Sequence, residues 1–123
     1  MKAFLLCLFM LYSVGVKAQS VSSIVSNHVF VMCDEKGFPS DLGNGIYVYM
    51  VFHDNSTLDM LMGATLSDAI DGGSLNAGTW KSYDSNVSFT WNSTGKGNTW
   101  YRDGNSENLK SSDGLIIKNL GGF

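Results

Sequence analysis

The sequence predicts an all-β domain, an antiparallel meander of about seven or eight strands that closes into a small barrel or sandwich. Glycine occurs 14 times and proline once, and aromatic and β-branched residues alternate with short polar turns. Asp103-Gly104 and Asp113-Gly114 are typical turn sequences. These features favour many short strands joined by short connections.

The first 18 residues have the three parts of a secretory signal peptide. Lys2 supplies a positive start, the segment 3–12 is almost entirely apolar, and Val16-Lys17-Ala18 places small residues before a cleavage site. The apolar run is about ten residues, against roughly 20 for a bilayer-spanning helix. We therefore expect residues 1–18 to be removed. Residues 19–123 should then form one soluble β domain, secreted or periplasmic.

Removal of the leader leaves an acidic protein. The chain has 8 basic and 11 acidic residues, and loss of Lys2 and Lys17 lowers the net charge from -3 to about -5. The remaining sequence contains no cluster of Lys and Arg, which nucleic-acid binding requires. We expect neither a nucleic-acid partner nor a membrane span.

Cys33 is the single cysteine after the leader, so the predicted domain cannot form an internal disulfide. Hydrophobic packing alone must then stabilise a domain of this size. An unpaired cysteine in an oxidising compartment is either buried or joined to another molecule. Both alternatives remain open from the sequence.

Two apolar strands are predicted in the first half of the domain, Val29 to Cys33 and Ile46 to Phe52. The second is apolar on both faces, as in a central strand. A two-residue turn at Asp54-Asn55 would place three pairs opposite each other on one buried face. Those pairs are Val51 with Leu58, Tyr49 with Met60, and Tyr47 with Met62. A slip of one residue would instead bring Asp59 among the tyrosines.

A helix competes with the strand that would follow this turn. Leu58, Leu61, Met62, Thr65 and Ala69 have helical spacing. Ser56 and Asp59 would cap such a helix, and Gly72 would end it. Both interpretations leave the segment from Asp68 to Asn76 as a loop.

The second half of the domain predicts further strands. Val87, Phe89 and Trp91 alternate with polar residues, which indicates a half-buried strand. A turn at Ser85-Asn86 would pair Trp80 with Trp91. A four-residue turn from Thr94 to Gly97 would then pair Trp91 with Trp100, giving a transverse row of three tryptophans. Leu115 to Ile117 is the last predicted strand.

The segment from Ile46 to Lys118 resembles the small lipocalin-like domains of exported bacterial proteins. The resemblance lies in a strand, an Asp-Asn turn and a second strand. These are followed by Gly78-Thr79-Trp80 and by the run Val87-Ser88-Phe89-Thr90-Trp91. In that family the Gly-x-Trp motif opens the first barrel strand, whereas here it lies past mid-chain. The resemblance implies an antiparallel barrel, and many such barrels hold an apolar ligand.

The sequence offers little for catalysis. His28 and Cys33 would point to opposite faces of one strand, about 16 Å apart, which leaves His53 as the other possible partner of Cys33. No spacing typical of zinc ligands occurs, and Asp68 to Gly73 lacks the pattern of a calcium loop. The chain also lacks a serine-hydrolase elbow and a phosphate-binding loop. We expect no enzyme activity, no metal and no cofactor.

The sequence therefore predicts an exported binding module. The first hypothesis is a small barrel that holds an apolar or amphiphilic small molecule, lined by Tyr47, Tyr49, Met60, Met62, Phe89, Trp91 and Trp100. The alternative is a surface module that binds carbohydrate or a protein through exposed aromatics near Trp80 and Tyr101. Neither hypothesis specifies an oligomeric state.

Overall fold

The computed structural model describes residues 20–123, so the predicted signal peptide lies outside the described residues. Two short helices are present, α1 (Val21–Val25) and α2 (Leu66–Asp71). The strands are β1 (His28–Met32), β2 (Tyr47–Phe52), β3 (Thr57–Gly63), β4 (Leu75–Ser82), β5 (Asn86–Trp91), β6 (Gly97–Arg102), β7 (Leu109–Ser111) and β8 (Ile116–Gly122).

The strands form a closed antiparallel barrel. Each strand pairs with the next one along the chain, and β8 pairs with β1. Closure removes the free edges that an open sheet would expose. The prediction of an all-β meander is confirmed, and a barrel forms rather than a sandwich. The last strand is longer than predicted, because its pairing with β1 continues to Gly122.

Aromatic side chains fill much of the barrel interior. The Phe52 ring meets Phe30, Trp80 and Phe89 edge-to-face at centroid distances of 5.3, 5.8 and 5.8 Å. Aromatic pairs at such distances stabilise a core beyond their buried area. Further buried members of this core are Val21, Ile24, Val25, Met50, Leu58, Val87, Trp100, Leu109 and Ile117.

A second buried cluster lies on the opposite face of β1, β2 and β3, outside the barrel. It contains Val29, Val31, Cys33, Tyr49, Val51, Leu61 and Ala69. Ala69 belongs to α2, and Leu66 of the same helix packs against the cluster. Helix α2 packs on β3 at this face, and β2 is buried on both faces along residues 48–52. Cys33 is buried, which corresponds to the first of the two alternatives left open by the sequence, and burial raises the pKa of its thiol.

Helix α1 closes one end of the barrel. Ser20 caps it by accepting a hydrogen bond from the Ser23 amide at 3.3 Å. The buried side chains of α1 join the interior core. The helix contacts both β1 and β5, which lie on opposite sides of an eight-stranded barrel, so it crosses this end. We call this end the closed end, and the other the open end.

The predicted pairing of β2 with β3 is wrong by one residue. Val51 lies opposite Asp59, Tyr49 opposite Leu61, and Tyr47 opposite Gly63. The loop has three residues instead of two, because the left-handed residue Ser56 (φ 72°) extends the turn. The His53 amide donates to the Thr57 carbonyl at 2.9 Å across its base. Tyr47 and Tyr49 therefore face outward, while Met60 and Met62 face inward.

The segment for which the sequence allows a strand or a helix forms both, a strand followed by a helix. Residues up to Gly63 form strand β3, and the chain then turns into α2. Thr65 rather than Ser56 caps that helix, accepting from the Asp68 amide at 3.1 Å. Gly72 ends the helix as expected. The prediction of a loop from Asp68 to Asn76 is wrong at both ends, because α2 and β4 occupy them.

The predicted row of tryptophans does not form. Trp80 lies opposite Phe89 and Trp100 opposite Val87, while Trp91 lies opposite Gly78. The turns come earlier than predicted, since Tyr83 pairs with Asn86 and Trp91 with Lys96. Both errors are shifts of an even number of residues. All three tryptophans therefore remain on the inner face, because side chains alternate along a strand.

Candidate functional site

The structure divides the seven predicted lining residues into two groups. Met60, Met62, Phe89, Trp91 and Trp100 share the inner face of the barrel, as the strand pairings require. Tyr47 and Tyr49 pack with the outer cluster under α2. Burial raises the pKa of Tyr49. The two tyrosines therefore cannot line a common pocket with the other five residues.

The deeper part of the interior is occupied by side chains. Phe89 stacks on Trp100 with centroids 5.9 Å apart and planes 17° apart. Trp91 makes an edge-to-face contact with Phe89, with ring centroids 5.3 Å apart. Phe89 is fully buried and Trp100 is 5% exposed. These two residues form the floor beneath the open end.

Five inner-face apolar residues surround the open end, and we call them the apolar rim: Met32, Met60, Met62, Leu75 and Trp91. Met32 and Trp91 are half-buried and pack on the interior core. Met62 is 58% exposed and Leu75 is 68% exposed. Large apolar side chains that remain exposed together mark binding surfaces in soluble proteins. Methionine suits such a surface because its flexible thioether adapts to ligand shape.

The loops at the open end carry further apolar residues. Residues 33–46 between β1 and β2 expose Phe38 and Leu42, and Leu115 is exposed in the turn between β7 and β8. Asp34 Oδ1 accepts from the Phe38 amide at 3.1 Å, and Asp41 accepts from the amides of Gly43 and Gly45. These bonds hold the long loop in an ordered shape, and long ordered loops in small domains are commonly functional.

A polar cavity of about 320 Å³ opens in the barrel wall near the same end. It lies between β6 and the turn that joins β7 to β8. Its lining is Gly97, Asn98, Thr99, Trp100, Tyr101, Ser111, Ser112, Asp113 and Leu115. Both faces of β6 contribute, because Trp100 points inward and its neighbour Tyr101 outward. We call this cavity the wall gap.

A third feature is a cleft of about 280 Å³ beside α2. His53 Nε2 and Asp59 Oδ2 form a pair 2.9 Å apart within it. Val51, Leu61, Ile70 and Phe123 supply its apolar walls. The pair joins the turn after β2 to strand β3, so it stabilises the hairpin.

Trp80 and Tyr101, near which the alternative hypothesis places exposed aromatics, lie on opposite faces of the barrel wall. Trp80 is buried in the interior, and its indole N–H donates to the His53 carbonyl at 2.8 Å. Tyr101 is 48% exposed on the outer face. Tyr101 is therefore the more exposed of the two, while Trp80 lines a surface cavity of about 500 Å³ beside the exposed Tyr83.

His28 and Cys33 lie on opposite faces of the β1 region, as predicted. Cys33 belongs to the outer cluster, and its thiol donates to the Val31 carbonyl at 3.5 Å. The His28 ring instead lies 2.8 Å from the Ser26 carbonyl.

Sequence reasoning missed Met32, Phe38, Leu42 and Leu75 at the open end. Apolar residues inside otherwise polar segments were the available signal for Phe38, Leu42 and Leu75.

Comparison with protein-family models, with curated proteins and with solved structures gave no match. In residues 20–123 no helix is long and apolar enough to span a membrane. The eight-stranded antiparallel barrel is compatible with a lipocalin-like architecture.

Proposed function

We propose that this protein is an exported binding module that holds an apolar or amphiphilic small molecule at the open end of its barrel. The apolar rim carries this proposal. It combines two strongly exposed side chains, Met62 and Leu75, with three half-buried ones on the same inner face. A ligand seated there would remove apolar surface from water, which drives binding.

The structure of the two barrel ends favours a ligand position at the rim over one deep inside the barrel. Helix α1 seals the closed end, and stacked Phe89 and Trp100 occupy the interior. Interiors packed in this way tolerate little added volume. The methionines of the rim, by contrast, can change rotamer at small cost.

The lipocalin-like resemblance agrees with this site. Barrels of that family commonly bind apolar molecules, and the fold found here has one sealed and one open end. The predicted signal peptide adds that the protein acts outside the cytoplasm. An exported carrier of this kind would protect or deliver a poorly soluble compound.

Native mass spectrometry of the protein, purified gently from an exporting host, tests the proposal. We expect a mass excess that disappears on denaturation. In parallel, the fluorescence of 1-anilinonaphthalene-8-sulfonate should rise on binding to protein stripped of its ligand. Failure of both measurements to show any binding would contradict the proposal.

A matched pair of variants locates the binding site. Met62→Gln replaces an exposed apolar residue at the open end, and Leu120→Gln does so near the closed end, where the residue is 44% exposed. We expect Met62→Gln to weaken probe binding about tenfold, since roughly half of a methionine's burial free energy is lost. Leu120→Gln should leave the affinity unchanged. Equal effects of the two variants would place the probe elsewhere.

A further inference from the structure

The wall gap exists because β7 is too short to accompany β6 along its full length. Pairing between the two strands begins at Trp100 and continues to Arg102. Residues Gly97, Asn98 and Thr99 pair with β5 but have no paired residue in β7. Strand backbone in this position offers polar groups to a ligand.

Trp100 lines the wall gap, and its indole N–H is an unsatisfied donor buried behind that lining. Its indole Nε1 is buried and has no hydrogen-bond partner among the described residues. Buried donors of this kind are rare in folded proteins, and they cost stability when they remain unpaired. A ligand that supplies an acceptor to this N–H would remove that cost.

The remaining side chains of the gap favour a ligand with hydroxyl groups. Asn98, Thr99, Ser111, Ser112 and Asp113 offer both donors and acceptors. The exposed ring of Tyr101 provides a flat apolar surface beside them. A sugar ring combines an apolar C–H face with a rim of hydroxyls, so it complements this arrangement. The volume of about 320 Å³ is at the lower end of small-molecule sites and suits one such ring.

The wall gap and the apolar rim lie at the same end of the barrel. Leu115 lines the gap and is exposed at this end. Trp91 of the rim connects to β6 through a short turn, in which its amide donates to the Lys96 carbonyl at 2.9 Å. Because both surfaces lie at the same end of the barrel, an amphiphile with a flexible chain can extend from the gap toward the rim.

We propose that the ligand is an amphiphile whose hydroxyl-bearing ring occupies the wall gap while its apolar chain lies on the rim. This inference rests on the proposed function and gives it a ligand class. The polar gap selects the head group, and the rim supplies most of the apolar contact. Specificity and affinity would thus come from two different parts of the open end.

Two detergents with the same chain separate the contributions of chain and head group. Octyl glucoside carries a sugar ring, and octyl pentaethylene glycol carries a neutral chain of ethers. Isothermal titration of stripped protein, below the micelle concentration of each, gives both dissociation constants. We expect octyl glucoside to bind about tenfold tighter, since it makes additional hydrogen bonds.

Two variants test whether the wall gap is the source of this preference. Trp100→Phe keeps an aromatic ring against Phe89 but removes the indole N–H, and Asn98→Ala removes a polar side chain at an exposed position. Each should reduce the preference by roughly fivefold, the effect of one neutral hydrogen bond. Asn105→Ala, an exposed change in the turn between β6 and β7, should preserve it. Asn98→Ala remains informative if the core variant folds poorly.

The possible outcomes distinguish the two proposals. Equal affinity for the two detergents would overturn the sugar-ring inference and leave the carrier function intact. A preference that neither Trp100→Phe nor Asn98→Ala changes would also overturn the inference. If neither detergent binds, both the proposed function and the inference that rests on it fail.

Discussion

The two ends of the barrel differ in how they use apolar residues. At the closed end, Val21, Ile24 and Val25 of α1 are fully buried in the core. The Asn119 side chain fixes the helix by donating to the Ile24 carbonyl at 2.8 Å. At the open end, Met62 and Leu75 are left largely in water. The buried side chains of α1 stabilise the fold, and the exposed pair at the open end supports the proposal that a ligand binds there.

The largest expected effect concerns the closed end. Ile24→Ala leaves a cavity between α1 and the barrel interior, so it should lower the free energy of unfolding by about 2–5 kcal/mol. Urea denaturation followed by tryptophan fluorescence measures this loss. Ser22→Ala, an exposed change in the same helix, is the control and should cost less than about 0.5 kcal/mol. A comparably small loss for Ile24→Ala would show that α1 does not seal the barrel.

The His53–Asp59 pair gives the next largest effect. Removal of His53 in His53→Phe leaves the half-buried Asp59 carboxylate opposite Val51 without its partner. Because both side chains are partly exposed, we expect a loss of about 1 kcal/mol in the free energy of unfolding. The double variant with Asp59→Asn should cost less than the sum of the single changes in a denaturation cycle. Strict additivity would show that the pair contributes no coupling.

Substitution at the rim should have a small effect on stability and a large one on binding. Met62→Gln and Leu75→Gln change exposed side chains, so each should alter the free energy of unfolding by less than about 0.5 kcal/mol. The same variants should weaken binding of the fluorescent probe. A large loss of stability would mean that these residues are part of the core, and the contrast between the two ends would disappear.

The final prediction concerns the reactivity of Cys33. Desolvation by burial raises the pKa of this thiol, the neighbouring Lys118 opposes the rise, and Asp34 adds to it. The folded protein therefore favours the protonated thiol, and this contribution to stability is lost as the pH rises through the raised pKa. We expect iodoacetamide at pH 8 to react at least about 100-fold slower with the folded protein than with the unfolded chain. Similar rates would contradict the burial of Cys33.

Composition and alternation were sufficient to predict the fold class. Val87, Phe89 and Trp91 were placed on the inner face by their spacing alone, and the structure confirms that face. The turn positions beside them were wrong by even numbers of residues. A register error of an even number of residues changes which residues are neighbours but preserves the face on which each side chain lies.

The hairpin of β2 and β3 shows why the rest could not be predicted. The predicted register differs from the observed one by one residue, which places Tyr47 and Tyr49 on the wrong face. Side chains alternate between the two faces along a strand, so a shift of one residue reverses the direction of every side chain. The sequence disfavours the observed register because that register brings Asp59 among the tyrosines. The contact between His53 Nε2 and Asp59 Oδ2, which are 2.9 Å apart, compensates for this placement of Asp59. Such a compensating contact depends on the shape of the turn, which short-range patterns do not specify.

The candidate site was predicted in part. Met60, Met62 and Trp91, which the sequence predicts as lining residues, lie on the inner face, whereas the sequence predicts nothing about the long loop from residue 33 to 46. The wall gap was also unforeseen, since it results from the shortness of β7. Strand lengths in a closed barrel depend on the pairing of both neighbours, so they emerge only from the whole structure.

The methionines provide the most direct test of the contrast between the two ends. Within residues 20–123, Met32, Met60 and Met62 belong to the rim, while Met50 is fully buried in the interior core. Methyl-labelled methionine therefore gives a spectrum with one internal reference and three reporters of the open end. On titration with octyl glucoside, we predict that the three rim signals shift together and that the Met50 signal stays in place. A shift confined to Met50, or no shift at all, would contradict binding at the open end.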